Sequence, residues 1–342
     1  KNKIKAAAIL MAQDDTNPTV LENYDTRYKI KEMTASYVKH IENKVSISTI
    51  RNTKRAVRKL IEHNNGKDLV LETITRAQIV RYIDYLSQDI NSKTINTLLS
   101  CLNQIWHFAY DRNFVERPSP FKDHRIKKTR ENPDSKKPFN LDQWSALTSE
   151  LNANASTFAR KWIAPIGLMT GMRINEIAGL HKEDVYQESN GRWFFNLHED
   201  ERRLKTKASI RKVPIHKSIE EAVLILKSES DNEFLLPEVI NNTSRRAQTI
   251  GGWFSRVKTQ YVSKERSYCF HSLRGMLSTA FENASIEEGI AASIVGHKRP
   301  SLTYGLYSNG VKPEMLCNAI DKAGVELELY IKHFPKIDSK KG

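Results

Sequence analysis

The sequence predicts a mainly α protein with a small β-sheet, built as an N-terminal helical domain followed by an α+β domain. Three observations carry this. Apolar residues recur at helical spacing almost without interruption from Lys29 to Asn113. A Pro-rich, strongly basic stretch from Arg117 to Pro138 then breaks the periodicity, as an interdomain linker does. Beyond it, short strand-like runs lie among longer helical ones, the pattern of a small antiparallel sheet beside a helical body. The expected divisions are an arm over 1–25, a helical domain over 26–116, the linker over 117–138 and an α+β domain with its tail over 139–342.

Bulk composition narrows the partner. The 342 residues carry a formal net charge of +14. Such an excess favours a polyanion, either nucleic acid or an anionic membrane surface. The chain has no apolar run of about 18 residues and no signal-peptide pattern, so no membrane partner is expected. Cys101, Cys269 and Cys317 are scattered and odd in number. They read as reduced, buried thiols of a cytosolic protein rather than a disulfide or metal framework. Because the sequence starts at Lys1 rather than Met, a fragment or a processed chain is one reading of it.

In order along the chain, Asp14-Asp15-Thr16-Asn17-Pro18 breaks any helix in the arm. Ser46 or Ser48 caps a helix that runs to about His63, with Ile50, Val57, Leu60 and Ile61 inward. Arg51, Lys54, Arg55, Arg58 and Lys59 cover its other side, a basic face without an acid that suits phosphate contact. Asn64-Asn65-Gly66 ends it. Thr75 caps the next helix, with Ile79, Tyr82, Ile83 and Leu86 inward. Ser92 caps a long helix with Ile95, Leu98, Leu99, Leu102, Ile105 and Trp106 in the core. Its outer side shows Lys93, Asn96, Asn103 and Gln104, where Asn and Gln are candidates for base edges. The solvated-face reading stands beside each of these.

In the second domain Leu141-Asp142-Gln143-Trp144 opens a helix, and another runs from about Phe158 to Thr170 and stops at Gly171. Met172 to Leu180 starts a further helix, and Arg192 to Leu197 reads as a strand. Arg203-Leu204-Lys205-Thr206 and Lys212-Val213-Pro214-Ile215 read as two arms of a hairpin. Helices dominate from Ser218. After Pro313, Met315, Leu316, Ala319 and Ile320 make a helical stripe, then Val325, Leu327, Leu329 and Ile331 alternate in a strand-like pattern.

Residues that handle phosphate are spread over this domain. Arg grips phosphate bidentately, His moves protons near neutral pH, and Tyr serves as a covalent nucleophile. The ordered set is Thr170-Gly171-Met172-Arg173 with Glu176, then Lys205-Thr206-Lys207 before Val213-Pro214-Ile215. His271-Ser272-Leu273-Arg274, Gly296-His297 and Tyr307 complete it. Each piece alone is weak; the ordered combination is specific. It resembles the tyrosine recombinase (phage integrase) family from about Leu141 to Ile320, with the helical domain in the place of that family's core-binding domain.

The resemblance implies a catalytic domain in which Arg173 and Arg274 hold the scissile phosphate and His271 serves as base or proton relay. It implies that His297 hydrogen-bonds the phosphate and that Glu176 orients the site from behind. Tyr307 would be the nucleophile, with Tyr304 the alternative. Lys205 would be the general acid, with Lys207 the alternative. It further implies a site-specific recombinase that integrates or excises a mobile element through a 3′-phosphotyrosine link. The implied partners are double-stranded attachment sites, a homotetramer on two duplexes in which part of the tail docks on a neighbour, and DNA-bending accessory proteins. The implied setting is bacterial cytoplasm. No cofactor or metal is expected, because the sequence lacks a compact carboxylate cluster for a two-metal site. A catalytically silent DNA-binding regulator and a type IB topoisomerase-like enzyme are the competing readings.

Overall fold

The computed structural model describes residues 28–124, 126, 136–198, 210–237, 243–297 and 310–337. The arm, linker residues 125 and 127–135, the first hairpin arm with Lys205 and Lys207, and Tyr304 and Tyr307 lie outside the described residues. The chain divides into two compact units, 1–131 and 132–342.

The first unit is a helical bundle: α1 (Ile30–Ile41), α2 (Ile47–His63), α3 (Arg76–Leu86) and α4 (Ser92–Tyr110). Local chemistry sets the ends. Ser46 accepts from the Thr49 N–H at the start of α2, and Thr75 with Gln78 forms a capping box on α3. The cap of α4 is Asn91 rather than Ser92: the Asn91 side-chain Oδ1 accepts from the Thr94 N–H at 2.8 Å. An amide oxygen one residue earlier reaches the free first-turn N–H, which leaves Ser92 inside the helix. Gly66, at φ +76°, ends α2 with its N–H bonded to Ile61 O. The inward stripes of α3 and α4 are buried as their periodicity requires. Trp106, Tyr82 and Leu102 sit at its centre, each burial contributing about 2–3 kcal/mol before entropic costs. The start of the Pro-rich stretch is folded onto this bundle. Arg117 donates to the carbonyls of Leu71, Glu72 and Ile74, and Phe121 packs edge-on against Trp106.

The second unit has α5 (Leu141–Asn154), α6 (Phe158–Thr170), α7 (Ile174–Ala178), β1 (Val185–Gln187), β2 (Trp193–Leu197), β3 (Arg211–Pro214), α8 (Lys217–Glu229), α9 (Thr243–Tyr261), α10 (Phe270–Asn283), α11 (Glu288–Val295), α12 (Pro313–Glu326) and α13 (Glu328–Ile331). Among the described residues the sheet is antiparallel in the order β1-β2-β3. Phe195 faces Val185 on one side and Val213 on the other. β1 was not legible in the sequence, because three residues are too few to show alternation. Helix α6 is buried over most of its length and packs against α10, α5 and α8. It thereby fixes where Gly171 and Arg173 emerge.

The tail corrects an expectation. Val325, Leu327, Leu329 and Ile331 do not form a strand; α12 runs through Glu326 and α13 follows. The true period is helical. Leu316, Ala319, Ile320, Ala323 and Leu327 are buried, whereas Val325 and Leu329 are 70% and 57% exposed. Met315, expected on the apolar stripe, is also exposed. The end of the described chain packs on its own unit: Trp144 Nε1 donates to Tyr330 O, and Phe334 meets the rings of Trp144 and Trp162.

Candidate active site

Five of the sequence-identified residues, Arg173, Glu176, His271, Arg274 and His297, converge in the second unit. Gly171 ends α6 in the left-handed region, at φ +60°. A side chain there would also meet Val295 Cγ1 at 2.9 Å. This turn puts Arg173 at the N-cap of α7, where Glu176 closes the cap. The Arg173 N–H donates to Glu176 Oε2 at 2.8 Å and its Nη1 to Oε1 at 2.7 Å. Arg173 Nη2 reaches the carbonyl of Gly296 at 3.3 Å. Glu176 is buried, which raises its pKa. Hydrogen bonds and charge from Arg211 and Arg173 outweigh that, so the carboxylate is held below its ordinary range.

Helix α10 begins beside this point and carries His271 in its first turn and Arg274 three residues on. The Arg274 side chain is buried. Its Nη1 donates to the carbonyls of Gly171, at 2.8 Å, and Val295. Its Nε and Nη2 are buried without a hydrogen-bond partner among the described residues. Burial, then the charges of Arg173 and Arg211, lower its pKa to about 10. Buried N–H groups of this kind are costly to leave unmade. They leave half of a guanidinium fork unused, at a point already rich in positive charge.

Gly296 ends α11 at φ +76°, and the His297 N–H turns back to Ala292 O at 3.0 Å. His297 is exposed, as is His271. Burial of part of each ring, then the charge of Arg274, then that of Arg173, lowers the pKa of both. Both imidazoles are therefore neutral near pH 7 and can accept or relay a proton.

One residue of this cluster was given no role from sequence. Arg211 on β3 donates from Nη2 to Glu176 Oε2 at 2.9 Å and from Nε to Ile294 O at 2.7 Å. Its signal was strand alternation. Arg211 shares the inward face with Val213, whereas Lys212 points out to Glu188.

The expected DNA-contacting residues lie in the first unit. Arg51, Lys54, Arg55 and Arg58 are exposed on α2, with Lys93, Asn96 and Gln104 exposed on α4. The basic face of α2 is not free of acid. Glu62 pairs with Lys59 at 3.0 Å and Arg58 at 3.5 Å, because the last turn brings it to i+3 and i+4. Gln104 accepts from the Tyr37 hydroxyl at 3.0 Å, so its amide oxygen is already engaged.

Comparisons with known proteins bear on the family and the fold. Residues 29–128 match the phage integrase SAM-like domain. Among solved structures, a lambda integrase tetramer bound to a Holliday junction superposes with a TM-score of 0.60 at 16% identity, covering 87% of this chain and 86% of that one. The Tn1549 transposon integrase in complex with transposon right end DNA gives 0.58 at 17% identity, covering 88% and 99%. A lambda integrase dimer on a COC′ core site gives 0.60 at 15% identity, covering 98% and 88%. No curated protein sequence matches the chain. Residues 138–312, more than half of the chain, match the phage integrase family, and the chain belongs to that family of tyrosine recombinases.

Proposed function

We propose that the chain is a site-specific DNA recombinase that cuts and rejoins strands through a covalent 3′-phosphotyrosine, moving a mobile element into or out of DNA. The observation that carries this reading is Arg274. Its guanidinium is fixed by two carbonyls on one side and has buried, unused N–H groups on the other, with Arg173, His271 and His297 around it. A phosphodiester supplies the missing acceptors and neutralises the excess charge.

In the proposed reaction the two arginines stabilise the charge of the five-coordinate phosphorus. The Tyr307 oxygen attacks phosphorus while His271 takes up the phenolic proton. The bond to the 5′ oxygen breaks, and Lys205 gives that oxygen a proton. His297 donates to a non-bridging oxygen. The phosphotyrosine conserves the bond, so a 5′-hydroxyl from another strand rejoins without an energy source. The first unit would hold DNA through Arg51, Lys54 and Arg55, which have no acidic partner among the described residues, with Arg58, Lys59, Lys93, Asn96 and Gln104 beside them. A tetramer on two duplexes, with accessory bending proteins, is part of the proposal. Support for the tetramer comes from the lambda tetramer rather than from the tail, whose described part packs on its own unit.

The test begins with a pool of duplexes carrying a randomised core, from which covalent protein–DNA species are recovered after denaturation and sequenced. Nicked suicide duplexes are then built on the recovered sequence. The proposal expects a 3′-linked adduct in the presence of a chelator and none from Tyr307→Phe. Binding without any adduct favours the silent regulator. Relaxation of supercoils without exchange between duplexes favours the topoisomerase reading.

A further inference from the structure

We propose that Arg211 is a positioning residue of the strand-cleavage site, holding Arg173 and His297 in one register by bridging the two elements that present them. The inference rests on the recombinase reading above.

Arg211 lies at the start of β3, far in sequence from both elements. Its side chain is only 6% exposed. One edge of the guanidinium meets both oxygens of Glu176, at 2.9 and 3.3 Å. Those same oxygens hold the backbone N–H and Nη1 of Arg173. The Nε on its other edge donates to Ile294 O in the last turn of α11. Directly above, Gly296 has no side chain, and a Cβ there would lie 2.6 Å from Arg211 Nη1 and 2.7 Å from its Cζ. The turn that delivers His297 is therefore seated on the guanidinium plane.

A single planar cation thus touches the carboxylate that aims Arg173 and the helix end that aims His297. Arg173 Nη2 closes the loop onto Gly296 O. Only a guanidinium offers donors on two edges in one rigid plane; a Lys ammonium presents one point. Arg211 donates to Glu176 and to Ile294 O, so its positioning action runs through the carboxylate and the α11 turn.

The test compares full-length wild type, Arg211→Lys, Arg211→Met, Glu176→Gln and the Arg211→Met/Glu176→Gln double variant. Single-turnover cleavage of the suicide duplex is measured at saturating DNA, alongside the Kd for the uncut duplex and thermal unfolding. The expected result is a fall in cleavage rate of about 10- to 100-fold in Arg211→Lys with Kd within about twofold of wild type. Arg211→Met falls at least as far, and the double variant falls no further than the worse single variant. That non-additivity marks action through the carboxylate. Should Arg211→Met unfold, Arg211→Lys, which keeps the buried charge, decides. Wild-type cleavage rates in folded Arg211→Lys overturn the role and leave the recombinase reading intact. Equal losses of Kd and rate that track unfolding also overturn it. A wild-type chain that forms no adduct overturns both.

Discussion

Replacing Arg274 by Met separates a phosphate-gripping arginine from a structural one. At pH 7 the guanidinium is charged in folded and unfolded chains alike, but burial draws its pKa down to about 10 on folding. A fall of that size corresponds to about 3 kcal/mol of destabilisation that Met removes. Against this, Met leaves the carbonyls of Gly171 and Val295 without their donor, at about 1–3 kcal/mol each. The two effects nearly offset, and the net change in stability stays within about 2–3 kcal/mol. Cleavage, by contrast, loses the donors aimed at the transition state and falls by about 10³-fold or more. The stability assay is denaturant unfolding in a Trp106→Phe background, so that Trp144, Trp162, Trp193 and Trp253 all report the second unit. A destabilisation beyond about 4 kcal/mol would mark Arg274 as a fully bonded structural cation. Cleavage within about tenfold of wild type would refute its role on the phosphate.

Further outcomes are expected elsewhere. His216 is 3% exposed, and burial lowers its pKa to about 4, with Lys217 and Arg192 acting the same way and Asp321 against them. The unfolded chain therefore binds this proton first, so stability is full above pH 6.5 and is lost as pH falls towards 4. About 2 kcal/mol should disappear between about pH 7.5 and about pH 5 in wild type, and His216→Asn, which keeps a helix-capping acceptor, should lose less. Gly171→Ala should cost about 1–3 kcal/mol from its positive φ and the clash with Val295, and should slow cleavage by moving both arginines. Replacing Arg51, Lys54 and Arg55 by Gln should flatten the salt dependence of DNA binding by about one unit of slope per lost phosphate contact. Lys59→Gln, already paired with Glu62, should change it less. Phe334→Ala should destabilise the second unit by about 1–2 kcal/mol, because its ring closes over Trp144 and Trp162 within the same chain.

Long helices were the most legible part of the fold, since each repeats its apolar stripe over several turns and several start on a side-chain cap. The bounds of α6, Phe158 to Thr170, follow from an apolar run stopped by Gly171. Short elements were legible only in part: β2 and β3 were read as strands, whereas β1 was not found and the tail was misread. β1 is too brief to show a period, and the chance alternation of Val325, Leu327, Leu329 and Ile331 mimicked a strand at a helix end. Within the site, Arg173, His271, Arg274 and His297 were found by type and order, and their common location needed the fold. Glu62 was overlooked because a basic run draws attention from the one acid a turn later. Arg211 was given no role because its importance lies in reaching Glu176 and Ile294, which are distant in sequence.

The most direct measurement is the identity of the residue joined to DNA. Adduct from the suicide duplex, formed with chelator present, is digested with protease and the DNA-linked peptide is sequenced. The recombinase reading predicts a 3′-phosphate ester on Tyr307 and complete loss of adduct in Tyr307→Phe. An ester on Tyr304, a 5′ linkage, or cleavage without any covalent protein would contradict it.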